Sequence, residues 1–94
     1  MVYSVEIGKN IVRFRTIMGM TQEALAFHSG VSISRLRDIE HGVANPSIDI
    51  LESISLAFGI PLPILFIFSL DEKEILDMVR KARYHMSQRQ AVPI

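Results

Sequence analysis

Ninety-four residues, 49% of them apolar, are enough for one compact domain and too few for two independent ones. Ten basic side chains balance ten acidic ones and cysteine is absent, which excludes a disulfide framework, a Cys-ligated zinc site and a basic tail. The start, Met-Val-Tyr-Ser-Val-Glu-Ile-Gly, lacks the basic and apolar regions of a secretory signal, so a cytoplasmic location is expected.

Ile7, Ile11, Phe14 and Met18 recur at the spacing of one helical face, with Lys9, Asn10 and Arg13 assigned to the polar side and Gly19 as the stop. Thr21 is placed to cap a second helix, with Glu23 in its first turn and Leu25 and Ala26 facing inward. Gly30 can end that helix at positive φ without a Cβ penalty, and Ser32 can start the next. A third helix is predicted over residues 33–41, with Leu36 and Ile39 as its buried pair. Two short amphipathic helices joined by a Gly-Val-Ser corner form the pattern of a helix-turn-helix, whose second helix is presented to the major groove of DNA.

After the loop Gly42-Val-Ala-Asn-Pro46, Ser47 is a cap for a fourth helix with Leu51, Ile54, Ala57 and Phe58 inward and Gly59 at its end. Pro61 and Pro63 fit the first turn of a short fifth helix, where a missing N–H costs little. Ser69 and Glu72 suggest a capping box for a sixth, with acids early (Asp71, Glu72, Glu74) and bases late (Arg80, Lys81, Arg83) to match its dipole. No segment alternates with period two for long enough to read as a strand, so the chain is expected to be all-helical. Residues 53–70 carry no charge and approach the length of a membrane span, but Gly59, Pro61 and Pro63 interrupt them; two short helices are the better reading and no membrane partner is expected.

Catalysis is not indicated. His28, His41 and His85 lack ligand spacing on one helical face, so no metal and no cofactor are expected. There is no Gly-rich phosphate loop and no nucleophile elbow.

Residues 7–66 resemble the Cro and lambda-type repressor family of helix-turn-helix domains, often called Xre-type. The resemblance rests on Phe14-Arg15, Met20-Thr21-Gln22-Glu23-Ala24-Leu25-Ala26, Gly30-Val31-Ser32, Ile39-Glu40-His41-Gly42, Pro46-Ser47 and the run Leu51…Ile54…Ala57-Phe58-Gly59-Ile60. It implies a five-helix lambda-repressor-like domain, here with an additional C-terminal helix, that binds a double-stranded operator as a homodimer on a two-fold site. By the same resemblance the side chain or the backbone of Gln22 holds a phosphate, and Ser32 caps at the groove edge, within reach of phosphate. Ile33, Ser34, Arg37 and Asp38 occupy base-reading positions, and Asn45 contacts backbone. Arg37 is suited to a bidentate guanine contact, while Asp38 could accept only from cytosine. The position of Arg37 more often holds a small residue in the family, and Arg35 either contributes to preference or serves a phosphate. Arg15 and Glu40 match a structural ion pair linking the first and third helices.

Charge constrains this reading. Residues 1–70 hold five basic and six acidic side chains, so positive charge must be concentrated on one face and two subunits are expected to cooperate. The expected division is a DNA-binding domain over 1–68, a C-terminal helix over 69–88 and a disordered tail over 89–94. Leu65, Phe66, Phe68 and Leu70, continued by Ile75, Val79, Ala82 and Met86, are too many apolar residues for one small core and are expected at an isologous dimer interface. The competing arrangement folds the sixth helix back over the stretch within one chain. A transcriptional regulator, a repressor in the first instance, is the expected function; the alternative is an antitoxin-type or other protein-binding member of the same fold, whose partner grips residues 60–86.

Overall fold

A computed structural model describes residues 3–91, with side chains as far as Arg83. Five α-helices and one 3-10 turn follow in order: α1 (Ser4–Ile17), α2 (Gln22–Ser29), α3 (Ile33–Glu40), α4 (Ile48–Phe58), the 3-10 turn (Leu62–Phe66) and α5 (Glu72–Ala91). Among the described residues there is no strand. The short fifth helix of the sequence reading is the 3-10 turn, with Pro61 as its cap and Pro63 in its first residues, and the additional C-terminal helix is α5.

Caps set the boundaries of the central helices. The Thr21 hydroxyl accepts from the Ala24 N–H, that of Ser32 from Arg35, and that of Ser47 from Ile50, each an N-cap bond to the residue three positions on. Gly30 closes α2 at φ 74°, a conformation that would strain any other residue and that turns the chain sharply into α3. The start of α5 differs from the sequence reading. Asp71, not Ser69, is the cap: its Oδ1 accepts from the Glu74 N–H at 2.8 Å, and Glu74 Oε1 accepts in return from the Asp71 N–H at 3.3 Å. The box is reciprocal as expected but lies two residues later, with Asp71 and Glu74 supplying the two acceptors.

One core runs through all of these elements. Ile7, Ile11 and Phe14 of α1 meet Leu25, Leu36, Ile39, Leu51, Ile54 and Phe58, with the rings of Phe14 and Phe58 stacked 5.7 Å apart. Leu65, Leu70, Ile75, Val79 and Ala82 belong to the same cluster and are buried within the single chain. They therefore do not form an exposed interface stripe. The fold-back arrangement is what the chain adopts, because α5 lies against α1 and removes its own apolar face from water without a partner. No boundary at residue 68 separates two cores. Of the other residues placed at a dimer interface, Phe66 is exposed, Phe68 is half-buried with its ring 5.6 Å from that of Tyr3, and the side chain of Met86 lies outside the described residues. The tail expected over 89–94 is helical as far as Ala91, and residues 92–94 lie outside the described residues.

Three polar side chains of α1 and α5 hold the C-terminal part in place. Asn10, expected on a solvated face, is buried, and its amide nitrogen donates to the carbonyls of Leu65 and Ile67 at 3.0 Å each. Arg13 donates to the Leu70 carbonyl, and Arg83 donates to the Met18 carbonyl at the end of α1. Period-3.6 patterning marks such residues as polar without revealing that an irregular turn, rich in unpaired carbonyls, will be laid over them. Gly8 was equally invisible to patterning. A Cβ there would strike the Ile39 carbonyl oxygen and lie 2.8 Å from that of Glu40, so α1 approaches α3 backbone to backbone.

Candidate nucleic-acid interface

The arrangement of α3 follows from two inward apolar residues on an eight-residue helix. At about 100° per residue, burying Leu36, Ile39 and Glu40 leaves Ser34, Arg37, Asp38 and the cap residue His41 on the opposite arc, all exposed. Ile33 is half-buried on the flank nearest α2, on the same side as Arg37. Arg35 lies on the other flank, where it lines a shallow depression with the corner Ser29–Ser32 and with Asp49, Ile50 and Ser53 of α4. The two arginines of α3 therefore serve different directions.

Beneath the exposed arc, Glu40 anchors the helix to α1. Its carboxylate is almost wholly buried, 3% exposed, and takes two hydrogen bonds from Arg15, Nε to Oε2 at 2.8 Å and NH2 to Oε1 at 3.1 Å. Arg15 uses its remaining terminal nitrogen on the Met20 carbonyl at 3.0 Å, so the pair also fixes the loop entering α2. A bidentate carboxylate–guanidinium contact fixes orientation as well as distance, which is what a helix presented to a partner requires.

Gln22 completes the group. Its Nε2 donates to Glu40 Oε1 at 2.9 Å, and its Oε1 accepts from Arg37 Nε at 3.4 Å. Glu23 Oε1 lies 3.7 Å from Arg37 NH2, between two largely exposed side chains. Asn45 is exposed, with its Oδ1 accepting from the buried Ser4 hydroxyl at 2.9 Å, so part of its capacity is spent tying the loop after α3 to the start of α1. Ser32 is exposed at the start of α3 but its oxygen is already the cap acceptor.

The structure thus brings Gln22, Ile33, Ser34, Arg37 and Asp38 together on one side, joined to Arg15 and Glu40 below. It sets Arg35 on a separate flank and Asn45 beyond the far end of α3. Sequence reasoning missed the contact of Gln22 with Glu40; the signal available was only that an amide and a carboxylate flank the same corner. Among the described residues no group of three His, Cys, Asp or Glu side chains could hold a metal, and no helix is long and apolar enough to cross a membrane.

Comparison with known proteins adds independent information. The family model for helix-turn-helix domains matches residues 11–65, a span that opens within α1, contains the ion pair, the corner and α3, and closes in the 3-10 turn. Over 54 residues the chain is 35% identical to y4dJ of Sinorhizobium fredii (strain NBRC 101917 / NGR234), described as an uncharacterized HTH-type transcriptional regulator; the alignment covers 57% of this chain and 70% of that protein. No solved structure matches. With a helix-corner-helix unit of this geometry and a family match over more than half its length, the chain belongs to the Cro/C1-type helix-turn-helix family of DNA-binding transcriptional regulators.

Proposed function

We propose that this chain is a sequence-specific regulator that reads double-stranded DNA with α3 as a homodimer on a two-fold operator, and represses by occupying it. The observation that carries this reading is the exposed arc Ser34, Arg37, Asp38 on a helix anchored from below by a bidentate ion pair. Major-groove reading requires side chains that reach outward from a helix that does not shift. Arg37 is the guanine reader, Ile33 packs on a thymine methyl, Ser34 bonds to a base or phosphate, and Ser32, Arg35 and Asn45 serve the backbone.

The homodimer is supported by charge. Arg35 and Arg37 on α3 are balanced by Glu23 and Asp38, so one half-site gains little from counterion release. Two copies reading half-sites about one helical turn apart, roughly 34 Å, make up the difference. The surface for pairing is the exposed remainder of the apolar stretch, Phe66 at 39% exposure with Ile67, Phe68 and the stacked Tyr3. Footprinting on a bound duplex tests the proposal. Protection of two half-sites spaced by one helical turn is expected; one protected half-site contradicts the two-fold part, and protection of none overturns DNA reading.

A second reading has its own observation. Phe27 is 82% exposed, Val43 75% and Leu56 70%, a set of apolar side chains outside both α3 and the 66–68 segment. They lie on three separate elements, α2, the loop after α3 and α4, and an antitoxin-type, protein-binding role would require a partner that reaches them. No enzymatic role is proposed.

A further inference from the structure

The amide of Gln22 has one orientation that satisfies its surroundings. Glu40, paired with Arg15, offers only acceptor oxygens, so the donor end of the amide faces it at 2.9 Å. The acceptor end then faces the reading surface, where it receives Arg37 Nε–H at 3.4 Å. A relay of four side chains thereby runs from the core to the exposed arc: Arg15, Glu40, Gln22, Arg37. A phosphate group, which presents only acceptors, finds at Gln22 one of the two Nε2–H donors already engaged by Glu40 and the amide oxygen turned toward the reading surface.

Resting on the reading that α3 recognises DNA, we propose that Gln22 is a positioning residue that sets base choice through Arg37 rather than gripping phosphate with its own side chain. With Nε held by Gln22, the two terminal nitrogens of Arg37 remain as a fork, and the major-groove edge of guanine presents O6 and N7 as the matching acceptor pair. Gln22 thus favours the end-on approach of the guanidinium over the side-on one, which would need Nε. Glu23 competes for NH2 from 3.7 Å, but both partners are more than half exposed and such a pair is weak, so the operator can displace it. Asp38 on the same arc has no role in the relay.

The test compares the protein's preferred duplex with the same duplex carrying a replaced guanine, for wild type, Gln22→Met, Arg37→Ala and the double variant. Methionine keeps the length of the side chain and removes both hydrogen bonds. Wild type is expected to discriminate roughly tenfold to hundredfold at that guanine, and Arg37→Ala to lose it. Gln22→Met is expected to lose most of the same discrimination, and to change nothing further in the Arg37→Ala background. Equal weakening of both duplexes by Gln22→Met, in either background, would assign the residue to phosphate and overturn the proposal. A wild type that discriminates no base would overturn the operator reading and the proposal with it, whereas a discriminating wild type matched by Gln22→Met overturns the proposal alone. In the DNA-free protein the Arg37 Nε–H resonance should shift on Gln22→Met while the spectrum of the core is unchanged; an unmoved resonance would remove the relay's physical basis.

Discussion

The α2–α3 unit and the C-terminal 3-10 turn with α5 use their side chains in opposite senses. In α3, eight residues spend three on the interior and leave the rest to the surface. In the C-terminal part a long apolar stretch, which reads as surplus, gives Ile60, Leu65, Leu70, Ile75, Val79 and Ala82 to the chain's own core and leaves Phe66 and Ile67 exposed. The polar residues of α1 mark the same contrast. Arg15 steadies a surface that must reach outward, while Asn10 and Arg13 pin down a turn whose carbonyls would otherwise go unpaired. Stripe-like apolar patterning reports burial and says nothing of whether the same chain or another does the burying.

That comparison can be broken most sharply at Val79. It is 1% exposed, so Val79→Asp places an unpaired carboxylate in the core and is expected to cost on the order of 4 kcal/mol or more, unfolding the chain. Phe66→Glu on the same part should leave the helical signal and melting temperature near wild type while shifting the proposed dimer toward monomer in sedimentation. If Val79→Asp stayed folded and only monomerised, the fold-back account of α5 would fail. Next in size is Glu40→Ala, which strands Arg15 and releases Gln22; about 3 kcal/mol of lost stability in denaturant titration is expected. Asn10→Ala removes the partner of two carbonyls and should cost about 2 kcal/mol, with faster hydrogen exchange confined to the 3-10 turn and the start of α5. The smallest effect belongs to Phe27→Ser. Its ring touches little besides His28, so stability should stay within about 0.5 kcal/mol of wild type.

What was legible in the sequence follows the same division. Caps are local chemistry, and Thr21, Ser32, Ser47 and Gly30 are where spacing and residue type placed them. The exposed arc of α3 is likewise a matter of period alone once Leu36 and Ile39 are inward. The capping box of α5 lies at Asp71 and Glu74 rather than at Ser69 and Glu72; the two pairs have the same spacing, so local pattern could not choose between them. Asn10, Gly8 and the destination of α5 depend on which elements meet, and sequence separations of more than fifty residues, as from Asn10 to Leu65, leave no local trace. The role of Gln22 was hidden for a related reason: its partner Glu40 is eighteen residues away and across the corner, although both belong to segments readable one at a time.

The central claim is that α3 reads DNA and that Arg37 specifies a base. Selection of bound fragments from random and genomic duplex DNA at near-physiological salt, with wild type and Arg37→Ala side by side, tests it most directly. The account predicts a palindromic motif enriched by wild type whose guanine preference disappears in the folded variant. A folded wild-type protein that enriches no motif, or an identical motif from both proteins, would contradict it.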